Sequence, residues 1–187
     1  MSLKVITPPA TEPVTLTEAK LHLRVDGNDE NALITSLIVA ARQGAEHMTG
    51  RALMPQTLEL SLDDFAPEIQ LPRPPLTSVT SVSYVDGGGV MQVLDSSAYA
   101  VNDHGQAASL VPAFGTSWPQ ARDQVSSVLI RYQAGYASAS DVPQAIKSWM
   151  LIRIGTLYEH RQAVVTGVSV SSIPGIDRLL DAYRVYL

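Results

Sequence analysis

The sequence predicts an α+β fold: a mostly helical framework of about four helices with a small antiparallel β module inserted into it. Three observations carry this expectation. Apolar residues recur at helical spacing towards both ends of the chain, they alternate with period two in the middle third, and turn-forming residues mark each change of period. The 187 residues are read as one domain over 1–187, with the β module at 57–136 and the helical framework at 1–56 and 137–187.

The framework opens at Thr15-Leu16-Thr17-Glu18, which has the form of a capping box: each residue's side chain can bond the other's backbone amide. The short helix that follows buries Leu16, Ala19 and Leu23, with Leu21 at the margin. Asp26-Gly27-Asn28-Asp29 breaks the chain and restarts it, with Asn28 or Asp29 as N-cap. A longer helix then runs from about Glu30 to Thr49. Leu33, Leu37, Ala40, Gly44 and Met48 form one row, and Ile34, Ile38, Ala41 and Ala45 form the row beside it. Gly50 is the stop signal.

From Thr57 the period becomes two, with Leu58, Leu60 and Leu62 alternating with polar residues as in a half-buried strand. Pro72-Arg73-Pro74-Pro75 is a stiff lead-in to a β-branched strand ending near Asp86. A glycine turn at 87–89 leads to a return strand, and further short strands are expected around Tyr99–Val101 and Ser109–Val111. Val125 to Tyr132 is the clearest strand of the set. Helix returns at Asp141-Val142-Pro143-Gln144, where Asp141 can cap and Gln144 can answer it, and continues to about Arg161. Its apolar residues occupy more than one face, so it must be covered on more than one side. Residues 162–172 read as a small-residue linker, and Ile173-Pro174-Gly175 opens a last short helix with Leu179, Leu180 and Tyr183.

Composition excludes several kinds of chemistry. The chain contains no cysteine, which rules out disulfides, thiolate catalysis and cysteine-bound zinc and fits a protein made in a reducing cytoplasm. No apolar run has the length of a membrane span, and the N-terminus has no signal-peptide core. The net charge of −5 is uneven: residues 57–142 hold three basic and nine acidic side chains, whereas 143–187 hold five and three. An acidic middle repels a phosphate backbone, so DNA is not expected to be bound specifically. The four histidines, His22, His47, His104 and His160, show no metal-ligand spacing. Glu159-His160-Arg161 reads as the solvated carboxyl end of a helix, where a cation suits the dipole. The glycines after Asp86 are followed by a strand and so form a hairpin turn, not a phosphate loop. Asp63 and Asp64 point to opposite faces of a strand and do not form a carboxylate pair. No serine-hydrolase motif is present. The expectation is therefore a protein that is not an enzyme and has no catalytic residues, cofactor or metal.

The phrases "VTLTEAKLHLRVD", "LPRPPLTSVTSVSYVD", "WPQARDQVSSVLIRYQAGY", "VPQAIKSWMLIRIGTLYEHR" and "IPGIDRLLDAYR" occur in this order from about Val14 to Arg184. In that order they resemble the head–tail connector (adaptor) proteins of tailed bacteriophages and prophages. Ala182 departs from the pattern, standing where a proline is expected before the tyrosine. The resemblance implies a structural virion protein, made in the bacterial host cytoplasm and placed at the head–tail neck. Such proteins form a ring below the portal, extend the DNA channel and dock the next neck or tail protein. Another neck component, a stopper or tail-completion protein, is the alternative; a small enzyme is a weaker one. Under this reading the partners are further copies of the chain, the portal protein and a downstream neck or tail protein, with DNA only passing through. Leu37, Gly44, Trp149, Met150 and Arg153 are candidate subunit-interface residues. Arg178, Tyr183, Arg184 and Tyr186 are candidates for portal or neck docking, since aromatic and arginine residues favour such contacts.

Overall fold

A computed structural model describes residues 1–160 and 175–186. The α+β class expected from the sequence holds, and the chain divides into two compact units, each discontinuous in sequence. The β unit comprises Met1–Ala10, Gly50–Ala137 and Val185–Leu187; the helical unit comprises Thr11–Thr49 and Ser138–Arg184.

In the β unit, strands β1 (Ser2–Thr7), β2 (Gln56–Leu62), β4 (Leu76–Val85), β5 (Met91–Leu94) and β8 (Val128–Ala134) form one sheet in the order β1-β2-β8-β4-β5. Every pair in it is antiparallel. Strands β3 (Ile69–Gln70), β6 (Tyr99–Asn102) and β7 (Ser109–Pro112) form a second sheet in the order β3-β7-β6. The expected alternation explains the core. Leu58 and Leu60 of β2, and Val128, Ile130 and Tyr132 of β8, share one face and pack with Ile69 and Leu110 of the second sheet and with Leu71, just beyond β3. The residues between them, including Glu59 and Arg131, point to the opposite face of the larger sheet.

The N-terminus is the main difference from the sequence expectation. Residues 1–10 were expected with the helical framework, but β1 pairs with β2, Lys4 lying opposite Glu59, and so belongs to the β unit. Gly50–Gln56 also falls there, because Ala52 N–H donates to the Pro74 carbonyl at 3.1 Å. The proline-rich segment is anchored in the same way. Its Pro72 carbonyl accepts from the buried Tyr132 hydroxyl at 2.7 Å, and Pro75 accepts from Gly135 N–H at 2.8 Å.

In the helical unit, α1 (Leu16–Leu23) begins at the capping box expected: Thr15 Oγ1 accepts from Glu18 N–H at 3.1 Å while Glu18 Oε2 accepts from Thr15 N–H at 2.7 Å. The Thr15 interactions, the backbone amide foremost, hold the Glu18 carboxyl below its ordinary range. Leu21 is not marginal but 81% exposed. Helix α2 (Asn31–Thr49) buries the row Ile34, Ile38, Ala41 and Ala45 and leaves Leu33, Leu37 and Met48 half-buried. Its buried Arg42 donates from Nε to Glu12 at 2.7 Å and from Nη1 to Glu46 at 2.9 Å.

Helix α3 (Gln144–Glu159) has Pro143 as its N-cap and no side-chain cap bond. The expected Asp141–Gln144 box is thus absent; the Asp141 carboxylate instead accepts from the Ser138 hydroxyl at 2.7 Å. The two-sided apolar pattern of α3 is satisfied inside the unit, where α1, α2 and a 3₁₀ segment (Ile176–Tyr183) all pack on it. Of the last short helix, only Leu180 is fully buried. The expected linker and the start of the final helix at Ile173 lie outside the described residues.

Candidate interaction surfaces

Among the described residues no three His, Asp or Glu side chains converge as a metal group. His104 is fully exposed in a turn, His47 is exposed near the end of α2, and His22 lies beside Gly155 of α3. Glu159 is the exposed last residue of α3 and His160 its exposed C-cap, whose N–H donates to the Thr156 carbonyl at 3.0 Å. Arg161 lies outside the described residues.

Among the described residues, open hollows include the following three. One of about 470 Å³ lies at the end of α1, lined by Lys20, Leu21 and Arg24. One of about 400 Å³ lies between Asp63–Phe65 and Trp118–Asp123. There Phe65 stacks on Trp118 with ring centroids 4.9 Å apart and meets Tyr84 edge-on at 5.8 Å. Asp63 accepts from the Ser126 amide at 2.9 Å and Asp64 from the Phe65 amide at 2.8 Å, so both carboxylates brace this loop. The third, about 220 Å³, lies on the uncovered face of the larger sheet between Glu59, Ser81, Ser83, Met91, Leu129 and Arg131. These are depressions rimmed by braced side chains, and they do not bring a nucleophile and a base together.

The candidate subunit-interface residues separate into two groups. Trp149 and Met150 are buried inside the protomer, Trp149 donating from Nε1 to Asp177 at 2.9 Å. Gly44 faces the Trp149 ring, which a Cβ at Gly44 would meet at 3.4 Å. Trp149 and Met150 therefore present little surface to another copy, and Gly44 is half-buried beneath the Trp149 ring. Leu37 is half-buried and Arg153 exposed, and both remain on the surface. Of the docking candidates, Arg178 is exposed, Tyr183 is half-buried, and Arg184 lies 3.2 Å from Asp181. Tyr186 belongs to the β unit and is 78% exposed.

The sequence reading passed over two surfaces. Both outer strands of the larger sheet, β1 and β5, are largely exposed along their length. β1 has a strand-like composition, Leu-Lys-Val-Ile-Thr, which could have been read. That β5 would end as a sheet edge could not, because edge position is a property of strand order.

Comparison with known families bears on what these surfaces serve. Residues 13–84 match the family of phage gp6-like head–tail connector proteins. That connector match covers α1, α2, β2 and most of β4, elements from both units. Comparison with curated protein sequences returns no match. Solved structures share the fold over the whole chain. A chain from the virion of a native gene transfer agent particle superposes with a TM-score of 0.81 at 23% identity, covering 100% of this chain and 97% of its own. A chain from the neck of an empty gene transfer agent particle, computed with C6 symmetry, gives 0.82 at 23% identity with the same coverage. A chain from the neck of the native particle, computed with C12 symmetry, gives 0.80 at 21% identity, also with that coverage.

Proposed function

We propose that this chain is a head–tail connector, a structural component of the virion neck that acts by assembly. The observation that carries the reading is the fold likeness to neck chains along the full length, joined to the connector-family match over residues 13–84. Together they support a virion neck role. In this reading copies of the chain form a ring, as the C6 and C12 symmetries of the similar neck structures suggest. The ring continues the DNA channel and contacts the portal on one side and the next neck or tail protein on the other. The β unit, with eight acidic and five basic side chains, suits a wall past which DNA slides without counterion-releasing contacts. Arg178, Tyr183 and Arg184 remain the docking candidates of the helical unit, and Leu37 and Arg153 the surface candidates for subunit contact.

The test is assembly of the purified chain, alone and with its cognate portal, followed by sedimentation velocity and negative-stain microscopy. Rings are expected. A monomer in both samples, with no portal complex, refutes the connector reading. Capture by tail proteins but not by portal replaces it with a tail-completion role.

A further inference from the structure

The ring reading requires a head-to-tail contact, in which one surface meets a different surface of the next copy. We infer that the two edges of the larger sheet supply it, β5 of one copy adding to β1 of the next to continue the sheet between subunits. The inference rests on the ring reading but goes beyond it by naming the contact.

Strand order puts β1 and β5 at opposite edges of one five-stranded sheet. Unpaired edges are normally blunted by charge, bulges or a covering element, because they template pairing with another chain. β5 has neither a charge nor a bulge, whereas β1 carries Lys4 and a register shift between Val5 and Thr7, which leaves Ser2–Val5 as its regular edge. On β5, Met91 is 51% and Val93 72% exposed, with Val90 beside them at 57%, and the strand itself carries no charged residue. On β1, Val5 is 43% and Ile6 37% exposed. The backbone of β5 is also arranged to accept a partner. Asp86 N–H donates to the Val90 carbonyl at 2.9 Å, and the register then pairs Tyr84 with Gln92. Hydrogen-bonded pairs alternate along an antiparallel ladder, so Met91 and Val93 turn their N–H and C=O groups away from β4.

The charges of the two edges are complementary. Lys4 is the one charged residue of β1 and is exposed; its cross-strand neighbour Glu59 is engaged by Arg131, at 2.6 Å. β5 is bracketed by Asp86 and Asp95, and no Lys or Arg occurs between Arg73 and Arg122. Asp86 is taken up by the turn and by Gln92, whose side-chain amide donates to it at 2.8 Å. Asp95 accepts from the Ser97 amide at 2.8 Å and from the Ser97 side chain, and lies exposed at the far end of β5. Two β5 edges paired antiparallel would set Asp95 of one copy towards the Asp86 end of the other, and two β1 edges would bring Lys4 towards Lys4, whereas unlike edges match cation to anion. Because all four ladders are antiparallel, β1 and β5 run in the same direction. Rotation about an axis along the strands preserves that direction, so the new pair is parallel.

The absence of native cysteine makes the contact testable in the full chain. Single variants Ser2→Cys and Val93→Cys, whose side chains share the uncovered face of the sheet and stand level when Lys4 meets Asp95, are mixed and treated with a short-spacer bismaleimide. The mixed S2C–V93C product is expected as the dominant species. V93C–V93C product in its place overturns the inference, because it reports like edges meeting. Rings on the grid without mixed product overturn it while leaving the connector reading intact; monomer without product overturns both. As a second arm, K4E and D95K are each expected to weaken association about fivefold per contact, and the double variant K4E/D95K to restore it. Equal weakening in the double variant counts against edge pairing.

Discussion

Replacing Arg42 with methionine probes a buried charge cluster in the helical unit. The residue is 6% exposed, and its guanidinium neutralises Glu12 at 2.7 Å and Glu46 at 2.9 Å; Glu46 is itself 4% exposed. Methionine keeps much of the side-chain volume, so the change removes charge with little cavity. Two carboxylates then remain without their shared cation, one of them buried. Breaking a buried ion pair from one side costs about 3–5 kcal/mol. The value here lies near the lower end, about 3 kcal/mol, because Glu12 is partly solvated and Glu46 has a further partner. The assay is urea unfolding followed by the fluorescence of Trp149 in a W118F background, which confines the signal to the helical unit. Removing the carboxylate as well, in R42M/E46L, should recover most of the loss, since an apolar replacement of a buried pair is often neutral or stabilising. A loss below about 1 kcal/mol for R42M, or no recovery in the double variant, would show that this cluster behaves as a solvated surface pair.

Three other outcomes follow from local geometry. Gly135 has φ +126°, and a Cβ there would lie 2.2 Å from the Met54 carbonyl oxygen; G135A should destabilise the β unit by about 3 kcal/mol, seen as a lower urea midpoint. Gly44 is mid-helix with ordinary negative φ, and its added Cβ would only touch Trp149 at 3.4 Å, so G44A should stabilise by about 0.5–1 kcal/mol through helix propensity. Overpacking by G44L should reverse the sign, which thermal unfolding would show. Glu18 has a folded pKa below its ordinary value of 4.5, chiefly through the Thr15 amide. Its stabilising contribution is therefore present above pH 4.5 and lost as pH falls through the folded value. E18Q should flatten the stability profile in that acid window and leave the slope above neutral pH unchanged.

The legible parts of the fold were those set by local chemistry. The capping box at Thr15–Glu18, the alternation in β2 and β8, and the hairpin at Asp86 each follow from a few neighbouring residues, and the structure contains all three. Asp141 shows the limit of such reasoning. Its carboxylate had a local competitor in the Ser138 hydroxyl, which took it before Gln144 could. The short strands β6 and β7 were expected, but β1, β3 and the grouping of β3, β6 and β7 into a sheet of their own were missed because the pairing partners are distant in sequence: Ser2 pairs with Ser61, and Ile69 with Leu110.

Helix α3 explains why the candidate contacts had to move. A helix apolar on more than one face is required to have several neighbours, but the pattern does not say whether those neighbours belong to the same chain. Here α1, α2 and the 3₁₀ segment cover it, and Trp149 is held by Asp177. A ring still needs adhesive surface, and in the β unit the exposed apolar side chains of the larger sheet concentrate at its two edge strands. Lys4 on one strand and Asp95 just beyond the other are opposite in charge, and the two strands, being different surfaces, meet the head-to-tail requirement that a single shared helix face does not. The hydrophobic excess seen in the sequence thus goes largely into closing the helical unit, and the edge strands, the place we propose for assembly, owe their exposure to strand order.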